Sequence, residues 1–203
     1  METKKQLKVI EYLFDETKKD EGVNLISFVT EPAIEMGFIY FNTQKQLFKT
    51  KIDIEHKMAT GPIMIPNKRI IRQDSEDTDP YFVYFSPETI LKISQKYLID
   101  KNNDKTNIEH NLDNEKTDGV ALVESWIVED NNNDKSKALG FENIPNGTWM
   151  GSYKINNENL WENIKSGKIT GFSIQGFFNN SIVRNNDVDN LYEKIINLYK
   201  KHK

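Results

Sequence analysis

Apolar and polar positions alternate along Thr170-Gly-Phe-Ser-Ile-Gln-Gly-Phe-Phe178. A period of two predicts a strand whose side chains point to opposite faces. Thr170, Phe172, Ile174 and Phe178 fall on one face, which reads as core. Gly171, Ser173, Gln175 and Phe177 fall on the other, which is small and polar around one hydroxyl. Gly171 leaves open space two residues before Ser173, where another backbone can approach. The arrangement suits a nucleophile on a strand facing a cleft. It also describes an ordinary half-exposed strand serine beside a sheet-bending glycine.

The same patterning marks the other elements. Val9–Phe14 reads as a short strand or a partner-binding segment, followed by a loop over 15–22. Val23–Val29 alternates as a strand ended by Pro32. Gly37–Phe41 and Leu47–Ile54 are further strand candidates. In Met58–Ile71, Gly61-Pro62 and Pro66-Asn67 punctuate two short β segments. Asp74–Asp79 is an acidic turn, and Tyr81–Phe85 is strongly β-prone. Ser86 then caps a helix with Pro87 at its first position and Glu88 near its positive end. Ile90, Leu91, Ile93, Tyr97 and Leu98 are expected on its buried side.

Thr106–Leu112 predicts a short strand in which Ile108, His110 and Leu112 share one face. His110 therefore points where apolar residues point, as a hydrogen-bonded histidine at the core edge or as a base. Gly119–Val128 is apolar on both faces, as a central strand would be. Glu124 in its middle needs a partner, because an unpaired buried carboxylate is costly. Arg69, Arg72 or Arg184 would serve, or Glu124 orients His110. An Asn/Asp-rich loop spans 129–137, and a strand follows over 148–155. Asn157 caps a short helix stopped by Gly167, and the chain then enters the Ser173 strand. Asp187 or Asp189 opens a last helix with a basic end that reads as a solvated terminus. Many short strands with about three helices predict an α+β domain built on a mixed or antiparallel β-barrel-like core. The organisation expected is an N-terminal segment over 1–20 with freedom to flex, a domain over 21–180 and a C-terminal helix over 181–203.

Composition narrows the chemistry. The 203 residues suffice for one substantial core, with 37% hydrophobic and 29% charged residues. A net charge of −4 gives no electrostatic reason to expect nucleic acid, and no apolar run approaches a membrane span. The first residues lack a signal-peptide core. With no cysteine, thiol nucleophiles, disulfides and thiolate zinc sites are excluded. With only His56, His110 and His202, a His-rich metal site is not expected, and neither is a cofactor.

Asn107-Ile-Glu-His110, Val123–Glu129 and Trp161–Ile174 together resemble the prohead maturation proteases of tailed phages, especially the XkdF-type serine proteases. Gly61–Pro66 and Tyr81–Thr89 resemble that family as well, so the likeness spans roughly residues 23–178. More distantly the pattern is similar to herpesvirus assemblin, with a serine and a histidine on separate strands of a β-barrel. The resemblance implies a serine endopeptidase inside the assembling prohead in the host cytoplasm, cleaving scaffold protein, major capsid protein segments and itself, with homodimers expected by analogy. It assigns Ser173 as nucleophile and His110 as general base. Glu124 is the third member chosen, with Glu129, Asp189 or the tail residue His202 as alternatives. Gly171, Gly176 and Arg184 are weak candidates for shaping the oxyanion site. Gly171-Phe-Ser-Ile-Gln175 departs from Gly-x-Ser-x-Gly, which disfavours a nucleophile-elbow hydrolase. The competing readings are an inactive structural or adaptor virion protein with the same fold, and a small-molecule esterase.

Overall fold

The computed structural model describes residues 8–32, 39–40, 56–72, 78–111 and 116–182. In chain order these form β1 (Val9–Leu13), β2 (Gly22–Val29), β3 (Ile39–Tyr40), β4 (Met58–Met64), β5 (Ile70–Arg72) and β6 (Tyr81–Tyr84), then α1 (Pro87–Ile99), β7 (Thr106–Ile108) and β8 (Val120–Ile127), then α2 (Lys135–Ala138), β9 (Trp149–Ile155), α3 (Glu158–Lys165), β10 (Gly171–Phe177) and β11 (Asn179–Ile182). The strands make three small sheets, ordered β11-β1-β6-β5, β10-β2-β7 and β3-β4-β9-β8. The expectation of an α+β fold holds, but among the described residues no sheet closes into a barrel. Val9–Leu13 lies inside its sheet, parallel to β6 and antiparallel to β11. The predicted strand over 47–54 and the last helix fall outside the described residues.

One core joins the layers. Phe28 of β2, Tyr153 of β9 and Phe172 of β10 meet with ring centroids 5.1–5.2 Å apart. Phe28 meets the other two rings edge-on, and each such pair adds about 0.5–1.5 kcal/mol beyond the burial of its area. Tyr97 of α1 packs edge-on to Trp149 at 5.4 Å and shares a hydroxyl contact of 3.3 Å with Tyr153. Burial pushes both phenols upward, well away from neutral pH. Helix α1 starts as its sequence predicts, with the Ser86 hydroxyl accepting from the Thr89 amide and Pro87 in the first turn. Ile90, Ile93 and Tyr97 are buried, whereas Leu91 and Leu98 face outward. Each of those leucines follows a buried residue directly, and one helical step rotates about 100° away from the core.

Other differences have equally local causes. Gly61-Pro62 does not break the chain but runs inside β4, where the pairing with β9 shifts register between Pro62 and Met64. A proline is accommodated at such an irregularity because it lacks the amide a regular ladder needs. Among the described residues β8 is an edge strand, not a central one, and a bulge between Leu122 and Glu124 turns Val123 and Glu124 outward. The Asn/Asp loop contains α2, capped by Asp134 through the Ser136 amide at 2.7 Å. β7 is only three residues long and ends before His110.

The strand pair that matters most is β10 on β2. It runs antiparallel from Gly171–Val29 to Phe177–Gly22, with an irregularity between Gln175 and Gly176. There the chains approach so closely that a Cβ on Gly176 would lie 2.0 Å from the Gly22 carbonyl oxygen. No side chain fits, and the obstacle is backbone. Gly176→Ala is therefore expected to cost more than about 3 kcal/mol in urea unfolding, or to prevent folding. A loss below about 0.5 kcal/mol would show that the close approach does not constrain the pair.

Candidate active site

β2 lies between β10 and β7, and its register sets the site. Ser27 is the Cα partner of Ser173 on one side and of Asn107 on the other. The three residues form one rung across the sheet. The next rung, Phe172–Phe28–Ile108, carries its side chains on the opposite face, toward the core. A strand period of two thus separates a polar rung from an apolar one. Ser27 and Asn107 are almost completely buried, at 0% and 1% exposure, while Ser173 is half-buried.

His110 reaches this rung from a turn, not from a strand. Beyond β7 the Glu109 amide donates to Phe28 O at 3.0 Å, and the Asn111 amide donates to Ile108 O at 3.1 Å. Glu109 and His110 both hold left-handed backbone, with φ of 53° and 54°. Two consecutive residues of that kind cost about 1–3 kcal/mol each. The Glu109 carboxylate offsets part of it by accepting from the Thr30 amide at 2.6 Å and the Thr30 hydroxyl at 2.5 Å. Thr30 is tied in turn to the start of β10, since the Thr170 hydroxyl donates to Thr30 O at 2.7 Å. The turn folds the imidazole back over the rung. Its Nε2 lies 3.0 Å from Ser173 Oγ, and its Nδ1 lies 3.0 Å from Ser27 Oγ. The expected strand face shared by Ile108 and His110 does not form, because β7 stops at Ile108 and the turn exposes the histidine.

Ser173 also lines an open groove. Its walls are Ile63 and Met64 from β4, Ile70 and Arg72 from β5, Phe85, and Ile174 beside the serine itself. Apart from Ser173 and Arg72, the residues that line it are apolar. An extended segment laid along it would bring a carbonyl to Ser173 with an aliphatic side chain on the apolar wall.

The structure does not bring Glu124 to this pair. Its carboxylate accepts from Lys135 Nζ at 2.6 Å and from the Ser152 hydroxyl at 2.7 Å, on the edge of another sheet. The hydrogen bond from Lys135, then that from Ser152, holds its carboxyl below the usual range. The outward bulge of β8 and the lysine of α2 explain the change. Glu124 is half-exposed and paired, so neither an arginine partner nor a histidine to orient is required. Glu129 is exposed just beyond β8, and Asp189, His202 and Arg184 lie outside the described residues. Gly171 opens β10 opposite Val29, and Gly176 serves the close approach to Gly22. The sequence reading missed Ser27 and Asn107. The available signal was a lone hydroxyl in the apolar run Leu25-Ile-Ser-Phe-Val29 and an amide three residues before the histidine. Among the described residues no cluster has the makings of a metal site.

Residues 45–181 match the model of a family described as "Putative phage serine protease XkdF". The matched region contains Asn107, His110 and Ser173 and leaves Ser27 outside. Neither the curated proteins nor the solved structures contain a match to the chain.

The placement of Glu124 has a measurable consequence. Its folded pKa is depressed, so its stabilisation is present above the ordinary carboxylate pKa and is lost as pH falls through the depressed value. Glu124→Gln is expected to cost about 0.5–1 kcal/mol at neutral pH, a difference that vanishes in acid. If Ser173 is the nucleophile, its labelling by a serine-reactive phosphonate should stay within about twofold of the parent. A hundredfold loss of labelling in a normally folded variant would restore Glu124 to the site.

Proposed function

We propose that this chain, which belongs to the XkdF family of phage serine proteases, is a Ser–His endopeptidase of capsid maturation. The observation that carries this reading is the 3.0 Å approach of His110 Nε2 to Ser173 Oγ at the edge of the apolar groove. A serine hydroxyl is a weak nucleophile until a neighbouring base takes its proton. Ser173 Oγ attacks the scissile carbonyl as its proton passes to His110 Nε2. The carbonyl electron pair moves onto oxygen, where backbone amides must receive it. Collapse of that intermediate breaks the C–N bond, and His110 returns the proton to the leaving amine. Water then attacks the acyl-Ser173 ester, giving a proton to His110 Nε2; collapse breaks the acyl–Oγ bond, His110 returns that proton to Ser173 Oγ, and the product leaves as the carboxylic acid. The proton transfers use the Ser173–His110 pair, already within hydrogen-bond distance at 3.0 Å.

In this reading the substrates are scaffold protein and segments of the major capsid protein, with self-cleavage in addition. The work takes place inside the assembling prohead in the host cytoplasm, and the chain acts as a homodimer. The family membership supports the phage serine protease within this reading.

Intact-mass spectrometry of the purified chain, beside Ser173→Ala, tests the reading with the phage's scaffold and capsid proteins as substrates. Defined fragments are expected with the parent and a fall of at least about 10³-fold with Ser173→Ala. A peptidyl phosphonate carrying an aliphatic side chain should label Ser173 and should do so faster than one carrying lysine. Intact masses with both folded proteins, and no labelling, would overturn the enzyme and leave an inactive virion component.

A further inference from the structure

We infer that Ser27 and Asn107 are positioning residues that set the tautomer of His110 through a chain of neutral hydrogen bonds. This relay deepens the Ser173–His110 reading and rests on it for its kinetic consequence. It begins at the far end of the chain, where orientation is unambiguous. Asn107 Nδ2 donates to the carbonyl oxygen of Asn111 at 3.0 Å. A carbonyl only accepts, so the amino side of the Asn107 amide must face it. The other side, Oδ1, is thereby turned to Ser27 Oγ, 2.5 Å away. An amide oxygen carries no proton, so the Ser27 hydroxyl is the donor.

A serine has one hydroxyl proton, and Asn107 has taken it. What Ser27 Oγ presents to His110 Nδ1, 3.0 Å away, is a lone pair. If Nδ1 were bare, two lone pairs would face each other beside a fully buried serine. Nδ1 therefore carries the hydrogen. A neutral imidazole has only one, so Nε2 is bare and accepts from the Ser173 hydroxyl at 3.0 Å. That is the tautomer a general base requires. The order Asn111 O, Asn107, Ser27, His110, Ser173 fixes every proton with no carboxylate. When His110 takes the Ser173 proton, the Nδ1–H of the imidazolium still points at a hydroxyl oxygen whose own proton is drawn toward the amide. Burial keeps water from supplying a competing donor to Ser27. The turn that delivers His110 also ends at Asn111, whose carbonyl orients Asn107, so one short segment supplies the base and the anchor of its relay.

The ring nitrogens of His110 report this directly. In the uniformly ¹⁵N-labelled full chain, held at about pH 9 above histidine's usual titration range, the parent should show a protonated Nδ1 and an unprotonated Nε2. The sequence has three histidines, so loss of one signal set in His110→Gln makes the assignment. Asn107→Leu frees the Ser27 proton, which should turn to Nδ1 and drive the ring to the Nε2–H form. Ser27→Ala removes the acceptor and should abolish the preference. Both variants should lose roughly ten- to a hundredfold in kcat with KM little changed. Asn107→Asp keeps an oxygen acceptor for Ser27 and should keep the Nδ1–H form. A parent ring found in the Nε2–H form overturns the inference, as does Asn107→Leu with an unmoved tautomer and rate. The parent spectrum requires no variant to fold. A ring with the expected tautomer in a protein that no phosphonate labels would uphold the relay and overturn the protease.

Discussion

The register of β2 against its two neighbours is the constraint on which the rest depends. It places Ser173, Ser27 and Asn107 on one rung, with Phe172, Phe28 and Ile108 on the next, facing the core. A slip of one residue would exchange the faces and send Ser173 into the aromatic cluster. The cluster holds the register because moving Phe28 and Phe172 out of contact with Tyr153 would forfeit several kcal/mol of burial and ring packing. Core and site are thus two faces of the same small sheet. The close approach of Gly176 to Gly22 pins one end of the pair, and the Thr170–Thr30 bond ties the other.

On this frame the histidine is delivered by strained backbone. Two successive left-handed residues are unfavourable for side chains larger than glycine. They persist because the Glu109 carboxylate is held by Thr30 and because backbone bonds close the turn onto Phe28 and Ile108. The gain is direction. A histidine continuing β7 would alternate with its neighbours and lie along the sheet, whereas the turn lets its ring bridge two adjacent strands. With both ring nitrogens occupied, a small displacement of β2 would be felt at Ser173 through His110.

Two of the acidic residues in the quoted motifs, Glu124 and Glu109, show how the environment assigns roles. Glu124 attracts attention in an apolar strand, yet the bulge turns it to the edge, where Lys135 and Ser152 take its charge. Glu109 adjoins the histidine, yet its carboxylate is spent on Thr30. The partner that does meet Nδ1 is a hydroxyl, Ser27. A buried hydroxyl costs far less to desolvate than a buried carboxylate, provided both its proton and a lone pair are used. Asn107 and His110 use them here.

Several features were legible in the sequence because they depend on neighbours along the chain. The β10 alternation assigned Phe172 to the core and Ser173 to the cleft. The Ser86-Pro-Glu start of α1 and the Asn157 cap of α3 are local hydrogen-bond chemistry, and they appear as expected. The motif around His110 and the stretch ending at Ser173 pointed to the pair and the family. The tertiary structure alone decided which strands became neighbours, and so it alone could align Ser27 with residues 80 and 146 positions away. Among the described residues it also turned β8 into an edge strand, left the sheets open and ended β7 before His110. Periodicity records which face a side chain takes within its own strand. It carries no information about which strand lies beside it, and a hydrogen-bond relay across a rung exists only once that pairing has been made.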